Sequence, residues 1–261
     1  MALEKAPYWT DLYYDVVAHY FWRPQDIGRK SDPEKQPRHW NYWREKLESQ
    51  EAPLNHILNF LFHIAPQELL DRLISALLHR QMADLQLVAP AAGTIDHNIV
   101  QPDIILSNTS SLIFVEMKVD SRSSIDQFAK YGIAAHWIMQ DEPQMTSVDL
   151  IMLGRHTDHC RIWKNAKRLG LTNEQSVRKA AIRGLEQDPT IWRERGVQRY
   201  IKAHPEEIPK LAKRLQTMGL HLADYAVLEG VLSDYANKES TVQRLVQGVL
   251  QEFTRRRLGT R

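Results

Sequence analysis

Cysteine occurs once in 261 residues, at Cys160. That excludes an internal disulfide framework and a four-thiolate zinc or iron–sulfur site, and nothing then requires an oxidising compartment. No apolar run approaches the ~20 residues that span a bilayer. The opening residues, MALEKAPYWTDLYYD, mix acids and aromatics where a signal peptide carries an apolar core. A cytoplasmic protein with no membrane partner is expected. Charge of one sign is lacking too. Lys plus Arg is 34 against 32 Asp plus Glu, a net charge of +2, so a polyanion would be bound only through a local patch. Repeats and low-complexity tracts are absent. What remains is an ordinary globular balance, 43% hydrophobic and 25% charged, in a chain long enough for one large domain or a core with an appendage.

The first segment is aromatic. Trp9, Leu12, Tyr13, Val16, Val17, Tyr20 and Phe21 follow three-and-four spacing, which predicts an amphipathic helix over 9–22. Its broad apolar stripe is a core face or the surface of a homodimer. A proline-containing loop is expected at 23–38 and a short helix with Trp40 and Trp43 at 39–49. Two helices follow within 53–80, divided at Pro66, whose ring suits a first helical turn. Then the texture changes. LQLVA at 85–89, DIILS at 103–107, LIFVEMKV at 112–119 and VDLIMLG at 148–154 read as buried strands. A helical pattern at 123–139 lies between the last two. From Arg155 onward the pattern reads as helical throughout, and Ser240 and Gln243 have capping-box spacing before the stripe of 242–253. The expected domains are an N-terminal helical arm at 1–50, an α/β core with a mixed sheet at 51–155 and an all-helical C-terminal subdomain at 156–261.

Two of the strands flank the polar turn SNTSS at 107–111, a hairpin pattern. A turn centred near Thr109 makes cross-strand partners sum to roughly 218–220. Asp103 then falls opposite the window that holds Glu116. Alternation puts Glu116 and Lys118 on one face. Two carboxylates held together in apolar surroundings repel. Lys118 offsets one charge, and a divalent cation would satisfy the rest. Carboxylates with open positions for water and phosphate suit Mg²⁺, and a lysine beside the metal can orient or deprotonate a water and stabilise charge on a phosphate.

The order Pro102-Asp103, a spacer, then Glu116-Met117-Lys118, between apolar strands, resembles the PD-(D/E)XK nuclease superfamily. Gln127 and Tyr131, four apart on the next helix and so on one face, resemble the Gln-x-x-x-Tyr motif of several of its branches. The resemblance covers roughly residues 51–155 and implies a restriction-endonuclease-like core. It implies a Mg²⁺- or Mn²⁺-dependent nuclease of defence, restriction or repair type, acting on DNA. Asp103 and Glu116 would bind the metal, Lys118 would serve the attacking water, and Gln127 and Tyr131 would position the lysine and the substrate strand. Many members add an acid on the helix before the first strand. Glu51 is the candidate here, with Glu68 and His56 as alternatives, although the helix macrodipole also accounts for an acid at Glu51. A catalytically inactive nucleic-acid-binding or scaffolding protein on the same fold is the alternative, and RNA is a further substrate class, because phosphate chemistry ignores the 2′-hydroxyl.

Other features carry less. His156, His159 and Cys160 lack the second ligand pair of a structural zinc site. Arg255, Arg256 and Arg257 are candidate phosphate contacts, or cations at a helix C-terminus.

Overall fold

The computed structural model describes residues 8–21, 46–48, 50–88, 102–119, 121–187, 192, 195–237 and 242–259. The loop expected at 23–38, the helix positions Trp40 and Trp43, and Ser240 lie outside them. The chain divides into two compact units, Pro66–Leu228 and Met1–Ala65 with Glu229–Arg261. The division therefore falls at Ala65 and Leu228, whereas boundaries near 50 and 155 were expected. Among the described residues no helix is long and apolar enough to cross a membrane.

The larger unit is α/β, a mixed sheet flanked by helices. Its five strands, β1 (Gln86–Leu87), β2 (Ile104–Ser107), β3 (Ser111–Met117), β4 (Ser147–Gly154) and β5 (Gly219–Asp224), lie in the order β1-β2-β3-β4-β5. β1, β2 and β3 pair antiparallel, and β3, β4 and β5 pair parallel. Every residue of β3 is buried, and so is all of β4 after Ser147. Burial on both faces is why these segments are near-continuous apolar runs.

β2 and β3 form the expected hairpin. Ile104 faces Val115, Ile105 faces Phe114, Leu106 faces Ile113 and Ser107 faces Leu112, each pair adding to 219. Asn108 pins the turn. Its Oδ1 accepts the N–H groups of Ser110 and Ser111 at 3.1 and 2.9 Å, and its amide donates to the Ala83 carbonyl at 3.0 Å.

Parallel strands need a crossover. Helix α4 (Ile125–Asp141) makes the one from β3 to β4. Phe128, Tyr131 and Ala135 of α4 share a buried core with Ile105, Leu112, Phe114, Leu150, Met152 and Leu220 of the sheet. The crossover from β4 to β5 runs through α5 (His159–Ile162), α6 (Ala166–Leu169), α7 (Glu174–Glu186), α8 (Arg195–Ala203) and α9 (Ile208–Thr217). Gly132 marks the meeting of α4 with α9, where a Cβ would stand 2.3 Å from Leu215 Cδ2.

β5 corrects the expectation that everything after Arg155 is helical. It also completes an ionic cluster around a buried carboxylate. Asp149 on β4 receives Arg80 Nη2 at 2.5 Å and pairs with His221 Nε2 on β5 at 2.8 Å. Glycine is required opposite, since a Cβ at Gly219 would sit 2.1 Å from Asp149 Oδ1. Burial alone would raise the Asp149 carboxyl, but the His221 hydrogen bond and the Arg80 charge outweigh it and hold the group below its ordinary value of 3.8. A depressed carboxyl stabilises the fold above its unfolded pKa, and that contribution fades as pH falls through the folded value. Asp149→Asn is expected to destabilise the protein by about 2 kcal/mol at pH 7, the range for hydrogen bonds to charged groups. Urea denaturation of both proteins should show this gap closing as pH falls below 3.8. A gap independent of pH would contradict the assignment.

The smaller unit contains α1 (Trp9–Phe21), α2 (Glu51–Ile64) and α11 (Gln243–Arg256). Helix α3 (Gln67–Leu78) opens the larger unit after Pro66, as expected, and α10 (Tyr225–Ala236) spans the division. α1 is a helix, and its apolar stripe is divided. Trp9 packs on Phe60 and Tyr13 on His56, Leu12 and Val16 are exposed, and the polar Thr10, Asp11 and Tyr14 are buried. Tyr14 takes an inner place because its hydroxyl donates to the Glu252 carboxylate on α11. Thr10 Oγ1 likewise donates to the Gly248 carbonyl at 3.3 Å. α11 starts at Gln243 with Val242 as its N-cap and no side-chain cap.

Candidate active site

The site is built at the open end of the β2–β3 hairpin. One step beyond the Ile104–Val115 pair, the register sets Asp103 across from Glu116. The Met117 N–H donates to Asp103 Oδ2 at 2.7 Å, which ties Asp103 to the end of β3. Glu116 is only 4% exposed. Lys118, just past the strand, is held by its own N–H, which donates to the Leu153 carbonyl of β4 at 2.7 Å. Its ammonium meets Glu116 Oε1 at 2.7 Å, with 22% of the lysine side chain exposed. A buried carboxylate is tolerated only when paired and hydrogen-bonded, and Lys118 supplies one of its partners.

Tyr131 of α4 supplies the other. Its hydroxyl donates to Glu116 Oε2, and its ring packs on Phe114 with centroids 5.0 Å apart. Burial pushes the phenol well above its usual value of 10.0. The Glu116 and Asp103 carboxylates push it further, and a hydrogen bond from the Gln127 side chain acts in the opposite direction. The phenol therefore stays protonated and remains a donor. Gln127 and Tyr131 share a face of α4, so the glutamine fixes the tyrosine and the tyrosine fixes the glutamate.

Asp103, Glu116, Lys118, Gln127 and Tyr131 thus come together. The remaining sequence candidates lie on other elements, α2, α3, α5 and α11. Glu51 stands in the first turn of α2, in the smaller unit. His56, in the same helix, meets the Tyr13 hydroxyl through Nδ1 at 2.9 Å. Glu68 is exposed in the first turn of α3, 3.9 Å from Arg72. Arg256, expected at a phosphate, is instead buried. Its guanidinium donates to Glu252, to the Tyr14 hydroxyl at 2.7 Å and to the Gln50 carbonyl at 2.6 Å. Arg255 is committed beside it to Glu252 at 2.8 Å and to Asp11. Arg257 is exposed and caps α11 in a left-handed conformation, φ 54°. His159 Nδ1 accepts the Trp163 indole N–H at 3.2 Å, and Cys160 is an exposed free thiol.

The donor set suits a hard divalent cation. Mg²⁺ is ordinarily bound through one or two carboxylates and keeps several waters, and here the Asp103 and Glu116 carboxylates both act on the Tyr131 phenol. Among the described residues no group of three or more His, Cys, Asp and Glu is gathered.

Lys118 also forms one wall of a cleft of about 330 Å³. Sequence patterning did not single out its other basic residues as a phosphate site. They are Arg122, Arg155, His156 and Arg161, which come from separate stretches brought together by the β3–α4–β4 crossover and the segment after β4.

Against protein-family models, curated proteins and solved structures, the chain finds no match.

Proposed function

We propose that this chain is a divalent-metal-dependent nuclease of the PD-(D/E)XK type, hydrolysing phosphodiester bonds in DNA. The observation that carries the reading is the tie of Asp103 to the end of β3 at Met117, beside Glu116, with Lys118 and Tyr131 both on the glutamate. Asp103 and Glu116 would hold Mg²⁺ or Mn²⁺, which polarises phosphoryl oxygens and acidifies bound water. Lys118 orients a water for attack on phosphorus and stabilises charge on the phosphoryl oxygens. The water oxygen forms a bond to phosphorus, the ester P–O bond breaks, and the leaving oxygen takes a proton to become a hydroxyl. Tyr131 and Gln127 act through Glu116 and are positioning residues. The compartment that fits is the cytoplasm, where an exposed thiol such as Cys160 stays reduced.

The test is incubation of the full chain with closed circular and linear DNA, single- and double-stranded, in Mg²⁺, Mn²⁺ or chelator. Divalent-dependent cleavage that stops in chelator is expected, and cleavage of closed circles makes the enzyme an endonuclease. Binding that is equal in Mg²⁺ and chelator, with no cleavage of DNA in any arm, would overturn the reading in favour of an inactive binding protein. Cleavage of RNA alone would move the substrate class.

A further inference from the structure

We infer that the cleft beside Lys118 seats a backbone phosphate of the substrate strand, next to the one that reacts, with Arg122 and Arg161 as its anchors. This rests on the nuclease reading for the meaning of Lys118 and adds how the strand is gripped.

Among the described residues the cleft is lined by four basic side chains, Lys118, Arg122, Arg155 and Arg161, together with His156, and by no carboxylate. The whole chain carries a net charge of only +2. The cleft is therefore a local concentration of positive charge in a nearly balanced protein, and the low-dielectric walls of a cleft focus such a field. Arg122 and Arg161 are exposed, and neither makes a salt bridge with a described residue. They contrast with Arg255 and Arg256, whose guanidinium groups are consumed by Glu252. An arginine pair with its fork of N–H donors turned to solvent matches the geometry of phosphate.

Size narrows the ligand. About 330 Å³ lies at the small end of the range for ligand clefts, roughly 300–1,000 Å³, and admits a phosphate with its sugar, not a duplex. Position narrows it further. Lys118 faces Glu116 on one side and lines this cleft on the other, so a phosphate seated here is a neighbour of the reacting group along the same strand. The grip is on backbone charge, and sequence plays no part in it.

Fluorescence anisotropy of the full chain with a labelled single-stranded DNA, hydroxyl at both ends, tests this in chelator so that no cleavage intervenes. Arg122→Ala and Arg161→Ala are each expected to raise Kd about tenfold and to lower the slope of log K against log salt by about one. Lys179→Ala removes an exposed charge from α7, outside the cleft, and is expected to leave Kd within about twofold. Circular dichroism of both arginine variants should match the parent. Unchanged affinity in them, or no binding by the parent, overturns the inference. So does weakening confined to oligonucleotides with a phosphorylated end, or displacement of the strand by micromolar inorganic phosphate at constant ionic strength. A protein that grips DNA through these arginines and never cuts it refutes the nuclease reading alone. One that cuts DNA while both variants bind like the parent refutes the cleft alone.

Discussion

Lys118→Arg is expected to lower divalent-dependent cleavage by about 10²-fold or more, the range for removing a positioned proton-transfer or charge-stabilising group, while the melting temperature stays within about 2 °C of the parent. The two readouts separate because Lys118 does two jobs. Its ammonium neutralises Glu116 at 2.7 Å, and a guanidinium keeps that charge. The same side chain is a compact amine that can shed its own proton and then accept one from the attacking water, which a permanently charged guanidinium cannot. Lys118→Ala removes both. It should abolish cleavage, by about 10³-fold or more, and also destabilise the fold, because Glu116 is 4% exposed and loses a partner. Steady-state cleavage with thermal melts decides the matter. Full activity in either variant would remove Lys118 from the chemistry.

Glu252→Ala is expected to cost about 3–5 kcal/mol, the range for stranding one member of a buried ionic group, and to lower the melting temperature of the smaller unit by about 10 °C. Glu252 is fully buried on α11, where Tyr14, Arg255 and Arg256 all donate to its carboxylate. Removing it takes from the Arg256 guanidinium, 6% exposed, a carboxylate that the neutral oxygens of Tyr14, Gln50 and Leu47 do not replace. Arg255 is less affected, because Asp11 and Glu48 remain. The double variant Glu252→Leu, Arg256→Met replaces both charges with apolar volume and should lose less stability than Glu252→Ala alone. Urea denaturation of the three proteins measures this. A single variant within about 1 kcal/mol of the parent would show that the carboxylate is not what holds α1 to α11.

How far residues alone lead differs between these two places. The hairpin was legible because apolar runs bracket a short polar turn, and period two then dictates which side chains face one another. That set Asp103 opposite Glu116, and the four-residue spacing of Gln127 and Tyr131 set the second pair. β5 was not legible. Gly219–Asp224 reads GLHLAD and contains no β-branched residue. Its leucines and alanine favour helix, and it is a strand because β4 offers it a parallel edge. The basic cleft left no local trace, since its walls come from residues far apart in the chain. The arginines at 255–257 left a misleading one. Three adjacent positive charges suggest a phosphate, but Glu252, three and four residues earlier on the same helix face, was already placed to take two of them. In α1 the aromatic and aliphatic spacing marked a helix, but not the burial of Tyr14, whose hydroxyl–carboxylate contact draws it inward while Leu12 and Val16 stay exposed.

The turn after β2 has no chemical part in any of this, yet its length governs the acids. Asn108 locks it from both sides. Exchanging its exposed residues one for one alters nothing downstream. Inserting or deleting a single residue there would rotate Asp103 onto the opposite surface of the sheet. Divergent copies of this gene can therefore be expected to vary in the letters of that loop and to agree in their count.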